Sequence, residues 1–194
     1  MGVEFELKYR ATPRQQAAVR EAFPGEMMKL EMETTYYDTP DGALAARFCT
    51  LRRRMENGVS VCTLKTPAGE LGRGEFEIQG ELTEDTIMEL CKLSGIQELI
   101  TLVQGGVVPV CGAGFTRLAH TLILDACTVE LALDSGVLTG GGKALPLCEV
   151  EVELKSGSRE AAMLFAKKLA ADFDLVPETK SKFRRALDLA KGGA

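Results

Sequence analysis

The chain has 194 residues, 45% hydrophobic and 26% charged, a size and balance suited to one globular domain that needs neither disulfides nor a structural metal. Its formal net charge of −5 argues against a general nucleic-acid binder, and its charged start, MGVEFELKYR, argues against a signal peptide. No apolar run is long enough to span a bilayer, so a cytoplasmic protein without membrane partners is expected.

The six cysteines (Cys49, Cys62, Cys91, Cys111, Cys127, Cys148) form no CxxC pair and read as reduced, mostly buried thiols. No internal repeat or low-complexity linker divides the sequence, which predicts a single domain over residues 1–194.

The first segment alternates with period two, Val3-Phe5-Leu7 against Glu4-Glu6-Lys8, and predicts a strand. Thr12-Pro13 then places a cap residue before a proline at the first helical position, and a helix is predicted through residue 22. Met27-Met28 reads as filler, and Tyr36-Tyr37 as packing at a strand end. Arg52 to Arg54 and Val59-Val61-Thr63, leading into Lys65, predict strands joined by the Asn57-Gly58 turn. Phe76 between Glu75 and Glu77 marks another strand. A helix follows Thr83, with Glu84 and Asp85 in its first turn, and runs to about residue 93.

Strands are predicted over 118–125 and 129–133, the second ending at an Asp134-Ser135-Gly136 turn. Gly140-Gly141-Gly142-Lys143 lacks the first glycine and the Ser/Thr of a phosphate loop, so it reads as a hairpin turn. Val150-Val152-Leu154 alternates with Glu149-Glu151-Glu153. A helix begins near Ser158, with Ala162, Phe165, Ala166, Leu169 and Phe173 at helical spacing, and a last one covers 180–191 and ends at Gly192-Gly193. Short consecutive strands joined by tight turns make the fold class mainly antiparallel β with flanking helices.

Several strands stack charges on one face: Glu4-Glu6-Lys8, Arg52-Arg54, Arg73-Glu75-Glu77 and Glu149-Glu151-Glu153. Residues two apart on a strand lie about 7 Å from each other, so like charges at this spacing repel unless counter-charges sit among them. One such strand is ordinarily a solvated face; four point to a charged interior. Arginine and lysine grip phosphate oxygens, while carboxylates hold Mg²⁺ or Mn²⁺, and a polyphosphate–metal complex uses both. His120, the only histidine, lies among apolar residues and reads as a structural histidine with its hydrogen bonds satisfied.

Glu4-Phe5-Glu6-Leu7-Lys8 matches the ExExK signature, and the chain resembles the CYTH superfamily, the triphosphate tunnel metalloenzymes. Tyr36 to Asp41, Leu51 to Arg54, Thr63 to Lys65, Arg73 to Glu77, Leu133 to Gly136, Glu149 to Leu154 and Ser181-Lys182 follow in the family's order. The resemblance implies a closed eight-stranded β-barrel, the triphosphate tunnel fold, using Mg²⁺ or Mn²⁺. Bacterial inorganic triphosphatases, which split tripolyphosphate into pyrophosphate and phosphate, are the relatives it points to, on the blocks ending in Asp134 and Leu154.

It implies Glu4, Glu6, Glu149, Glu151, Glu153 and Asp134 as the metal-binding group. Lys8, Arg52, Arg54, Lys65, Arg73, Arg117 and Lys182 are implied as phosphate clamps, with Lys8, Lys65 and Lys182 nearest the chemistry. Glu75, Glu77 and Glu130 share their parity. The substrate would be inorganic triphosphate or a nucleoside triphosphate, acted on by a monomer or homodimer. The glycine that often follows the Ser181-Lys182 block is absent. Adenylate cyclase, thiamine triphosphatase and a non-catalytic polyphosphate-binding module are the competing readings; no tryptophan is present to stack thiamine.

Overall fold

A computed structural model describes residues 2–68 and 72–192, except that the side chains of residues 2–4, 68 and 72 lie outside the description. One antiparallel sheet forms the body. Its strands are β1 (Gly2–Glu4), β2 (Glu6–Arg10), β3 (Met28–Asp38), β4 (Thr50–Glu56), β5 (Val59–Ala68), β6 (Gly72–Gln79), β7 (Val108–Ile123), β8 (Cys127–Gly140), β9 (Lys143–Gly157) and β10 (Val176–Pro177). The helices are α1 (Pro13–Ala22), α2 (Ala43–Ala46), α3 (Glu84–Ser94), α4 (Gln97–Val103), α5 (Arg159–Asp172) and α6 (Lys182–Ala190).

The four predicted helices are α1, α3, α5 and α6, and their starts follow local chemistry. Thr12 Oγ1 accepts from Gln15 N at 3.3 Å while Thr12 N donates to Gln15 Oε1 at 2.8 Å, a reciprocal capping box. Thr83, Ser158 and Ser181 cap α3, α5 and α6 by accepting backbone N–H bonds. None of these helices is long and apolar enough to cross a membrane among the described residues.

The expectation of a closed eight-stranded barrel is corrected. The sheet has ten strands and two ends, in the order β1-β6-β5-β4-β3-β7-β8-β9-β2-β10. The alternating N-terminal run is not one strand but two: β1 pairs with β6, and beyond Phe5 β2 pairs with β9. β1 and β2 follow each other end to end through Phe5 with no turn between them, so they share no ladder, and the sheet is open.

Three further differences concern elements. The pattern around Met28 and Tyr36-Tyr37 belongs to an 11-residue strand, β3. The short α2 and α4 carry no side-chain cap, so the usual start signals are missing. The predicted turn at Asp134-Ser135-Gly136 is instead the middle of β8, where Asp134 pairs with Glu149 and Gly136 with Leu147. Gly136 is there for space: a Cβ on it would stand 2.2 Å from the Gly114 carbonyl oxygen. The turns at Asn57-Gly58 and Gly141-Gly142 are as predicted, with all four residues at positive φ.

The outer face of the sheet is apolar and covered by helices. Tyr9, Val129, Leu131, Val150 and Val152 pack against Val19 of α1 and Ala162, Ala166 and Leu169 of α5. Leu51, Cys62 and Leu64 pack against Leu44 of α2, Ile87 and Leu90 of α3, and Leu99 of α4. A third cluster lies on the concave side, where Phe183, Ala186 and Leu187 of α6 pack on Met32, Tyr36, Phe115 and Leu138. With the apolar positions of β2, β4, β5, β8 and β9 turned outward, the intervening charged positions turn into the concave side. The cysteines are free thiols, and burial pushes Cys91 up to about 11 and Cys111 up to about 12.

Candidate active site

The inward side chains of β2 through β9 and the start of α6 enclose one cavity of about 420 Å³. Its walls carry Lys8, Arg52, Arg54, Lys65, Arg73, Arg117, Lys155 and Lys182 against Glu6, Glu56, Glu75, Glu77, Glu130, Glu151 and Glu153. All seven residues predicted as phosphate clamps therefore meet in one place. Strand alternation does this: Arg52 and Arg54 turn inward, while Arg53 between them turns out to Ser60 and Glu81, at 3.0 and 2.9 Å.

On the β4–β6 wall the cations pair with carboxylates. Lys65 Nζ lies 3.0 Å and Arg52 Nη2 3.4 Å from the same Glu75 oxygen. Arg54 pairs with Glu56, and Arg73 donates to the Phe48 carbonyl at 2.9 Å. Arg52 and Arg54 nevertheless keep buried Nε–H groups with no acceptor. Burial first, and then the adjacent Arg52 guanidinium, pushes Arg54 below its ordinary value. A buried donor without a partner is costly.

The opposite wall holds a cage. Asp134 and Glu149 are cross-strand partners and Glu151 is two residues further along β9. Lys182 Nζ reaches one oxygen of each, at 2.8, 2.7 and 2.6 Å. Arg117 grips Asp134 with two bonds of 2.7 and 2.8 Å and Glu151 at 2.5 Å. Arg185 pairs with Glu149. Behind them Gln16 of α1 donates to the Asp134 and Glu149 carbonyl oxygens at 2.9 and 2.7 Å and accepts from Ser135 at 2.6 Å, tying β8 to β9.

Burial opposes the charge on Glu151, yet Lys182, Arg117 and Lys8 outweigh it and hold the carboxyl well below its usual range. Burial likewise opposes the charge on Lys182, but Glu151, Asp134 and Glu149 raise it. A carboxyl lowered by folding contributes stability above its unfolded value of 4.5, and that contribution is lost as pH falls through the folded value. A lysine raised by folding contributes below its unfolded value of 10.5 and loses this only as pH climbs through the raised one. The urea midpoint is therefore expected to fall as pH drops below 4.5, with a shallower slope in Glu151→Gln. Equal slopes in the two proteins would contradict this.

A second acidic group faces the cavity. Glu153 is the cross-strand partner of both Glu6 and Glu130, giving a row of carboxylates over β2, β9 and β8. Lys8 lies 2.8 Å from Glu6, and Lys155 lies 2.9 Å from Glu153 and 3.7 Å from Glu130. These are hard oxygen donors of the kind divalent cations take, but as the structure stands they are not drawn together into a ligand group. Glu4 is opposite Arg73 in the ladder, but its side chain lies outside the described residues. Asp134, Glu149 and Glu151 have ligand atoms within 4.8 Å of one another, and Asp134 and Glu149 do not line the cavity.

His120 stays apart on β7, its ring against Gly25 and its Nδ1 without a partner, so the expected full satisfaction is not met at that atom. Sequence reading missed Lys155, although it continues the parity of Glu149, Glu151 and Glu153. It also missed Arg185, which is one helical turn after Lys182, and Gln16, which carries no sequence signal.

Comparison with known proteins bears on this site. The model of the CYTH domain matches residues 2–187. The chain belongs to the CYTH family. An inorganic triphosphatase of Haemophilus influenzae is 29% identical over 164 residues, which cover 82% of this chain and 46% of that protein. The chain thus spans about half the length of this curated CYTH relative. Among solved structures, a candidate adenylyl cyclase from Hippeastrum with a dominant triphosphatase activity has a TM-score of 0.66 at 17% identity, covering 100% of this chain and 97% of its own. A Pyrococcus horikoshii protein gives 0.64 at 24% identity, covering 96% and 99%. At these identities the structures establish a shared fold.

Proposed function

We propose that this CYTH protein hydrolyses inorganic triphosphate, releasing phosphate and leaving pyrophosphate. The observation that carries the reading is the pair of buried Arg52 and Arg54 side chains, whose Nε–H groups lack acceptors beside a cavity walled by six further cations. The relative named an inorganic triphosphatase supports it.

Lys8, Arg52, Arg54, Lys65, Arg73 and Arg117 would bind phosphate oxygens, taking them in place of the protein oxygens they now hold. Lys182 would face the end of the phosphate chain, since it stands on the cavity wall with its charge favoured by Glu151, Asp134 and Glu149. Cavity carboxylates, Glu6, Glu151 and Glu153 among them, would hold a divalent cation, which when bound supplies charge neutralisation at the phosphate oxygens. Fixed donors aimed at the growing negative charge, in a site where they need not reorganise, would provide most of the rate.

Leu30, Met32, Phe115 and Phe183 also line the cavity. This apolar wall favours a second reading, in which the triphosphate carries an organic group such as a nucleoside. Phosphate release from tripolyphosphate, ATP and thiamine triphosphate, each with Mg²⁺ or Mn²⁺, separates the two. Faster release from tripolyphosphate than from either organic triphosphate is the expected result. Cyclic AMP and pyrophosphate from ATP, with no phosphate from tripolyphosphate, would replace the proposal with a cyclase.

A further inference from the structure

We infer that Thr50 is a further phosphate-binding residue, its hydroxyl donating to an oxyanion oxygen held beside Lys65 and Arg73 at the start of β4. The inference deepens the triphosphatase reading and rests on it only for the name of the ligand, a chain of phosphates. The unmet donor on which it stands is a property of the strand, whatever the phosphate compound.

Thr50 is 4% exposed, lines the cavity, and its Oγ1 has no hydrogen-bond partner. Among the described residues, the buried side-chain donors that line the cavity without a partner are Thr50 Oγ1, Arg52 Nε and Arg54 Nε. They occupy alternate positions of β4, so one face of one strand presents all of them, at steps of about 7 Å. Buried threonines elsewhere find partners: Thr63, opposite Arg52 on β5, donates to Glu77 at 2.9 Å, and Thr39 donates to Asp41 at 2.6 Å. A buried strand position suits valine, which has the same shape without the hydroxyl. The hydroxyl is what threonine adds, at the cost of a buried donor left unmet.

The surroundings have the right sign and are held in place. Thr50 is the ladder partner of Lys65, whose Nζ stands 3.0 Å from Glu75, and Arg73 donates to the carbonyl of Phe48, two residues before Thr50, at 2.9 Å. Helix α2 fixes the same segment. Its last turn closes with Phe48 N on the Ala45 carbonyl at 3.0 Å and Cys49 N on the Leu44 carbonyl at 2.9 Å. These are the paired bonds that end a helix at a left-handed residue, here Phe48 at φ 58°. Buried Asp38 holds α2 in turn, accepting from Leu44 N at 2.9 Å and Ala45 N at 3.1 Å. A donor on a backbone fixed in this way need not reorganise to meet a phosphate, and a hydrogen bond to an ionised oxygen is the stronger kind. An uncharged hydroxyl beside these cations also adds a donor without adding to their mutual repulsion.

Calorimetric titration with tripolyphosphate in the absence of divalent ions, paired with urea unfolding without added phosphate, tests this. Thr50→Val is expected to weaken binding by about tenfold or more, while its urea midpoint stays level or rises. Thr50→Ser, which keeps the hydroxyl, should bind within about threefold of the wild type. Binding lost without loss of stability, and kept in Thr50→Ser, is a result that packing alone does not give. Equal affinity in Thr50→Val and the wild type would overturn the inference. So would a Thr50→Ser as weak as Thr50→Val, which would assign the effect to the methyl group. A urea midpoint lowered in Thr50→Val would show that the hydroxyl has a partner inside the protein, and would also overturn it. If Thr50→Val does not fold, Thr50→Ala removes the same hydroxyl and its affinity is read instead. A wild type that binds no tripolyphosphate would remove the triphosphatase reading. Inorganic phosphate is then the probe: weaker binding in Thr50→Val supports the inference, and equal affinity in the two proteins, or none in the wild type, overturns it.

Discussion

In metal-free buffer, Lys182→Met is expected to lower unfolding stability by about 3–5 kcal/mol, the cost of leaving buried charges without their partner. The ammonium serves three carboxylates at once, and Arg117 and Arg185 cannot move across to replace it because each already holds one side of the cage. Methionine nearly preserves the shape, so packing of α6 through Phe183, Ala186 and Leu187 is left largely intact and the loss reports on charge. Adding Glu149→Gln to Lys182→Met removes one of the stranded negative charges and is expected to return part of the stability. A urea midpoint for Lys182→Met within error of the wild type would mean that the cage does not depend on its ammonium.

Much of the site was legible because strand alternation is a rigid rule. Once Glu6, Arg52, Arg54, Glu75, Glu151 and Glu153 are placed on strands, their parity sends them to one face, and the structure has them lining one cavity. What alternation cannot give is the neighbour across the sheet. Glu149, Glu151 and Glu153 look equivalent in sequence, yet register puts Glu153 beside Glu6 and Glu130, and Glu149 beside Asp134. Arg185 and Gln16 reach the cage from helices, where the approach is set by packing rather than by any local pattern.

The fold was legible to a similar depth. Capping residues marked the starts of α1, α3, α5 and α6, while α4 begins at Ile96 with no side-chain cap and left no signal. Gly136 suggested a turn because glycine in a strand has two meanings, backbone freedom or close approach, and only the Gly114 carbonyl above it shows which applies. Closure of the sheet depends on whether the two halves of the N-terminal run pair beyond their own neighbours, a long-range matter that its alternation does not express.

Arg54→Leu separates binding from stability in the opposite sense to Lys182→Met. Arg54 is buried next to Arg52, its Nε–H has no acceptor, and both burial and that neighbour disfavour its charge. Replacing it with an apolar side chain removes these costs, at the loss of its pairing with Glu56, so the urea midpoint is expected to stay level or rise. Tripolyphosphate binding should weaken by about thirtyfold or more, which corresponds to the lower end, about 2 kcal/mol, of the range for losing one partner of a buried charge pair. Arg54→Lys should fall between the two, because an ammonium keeps the charge but not the two-pronged grip on phosphate oxygens. Calorimetric titration with tripolyphosphate in the absence of divalent ions reads the affinity directly. A Kd for Arg54→Leu equal to that of the wild type would show that the orphaned guanidinium donors do not wait for phosphate, and the central support for the triphosphatase reading would be gone.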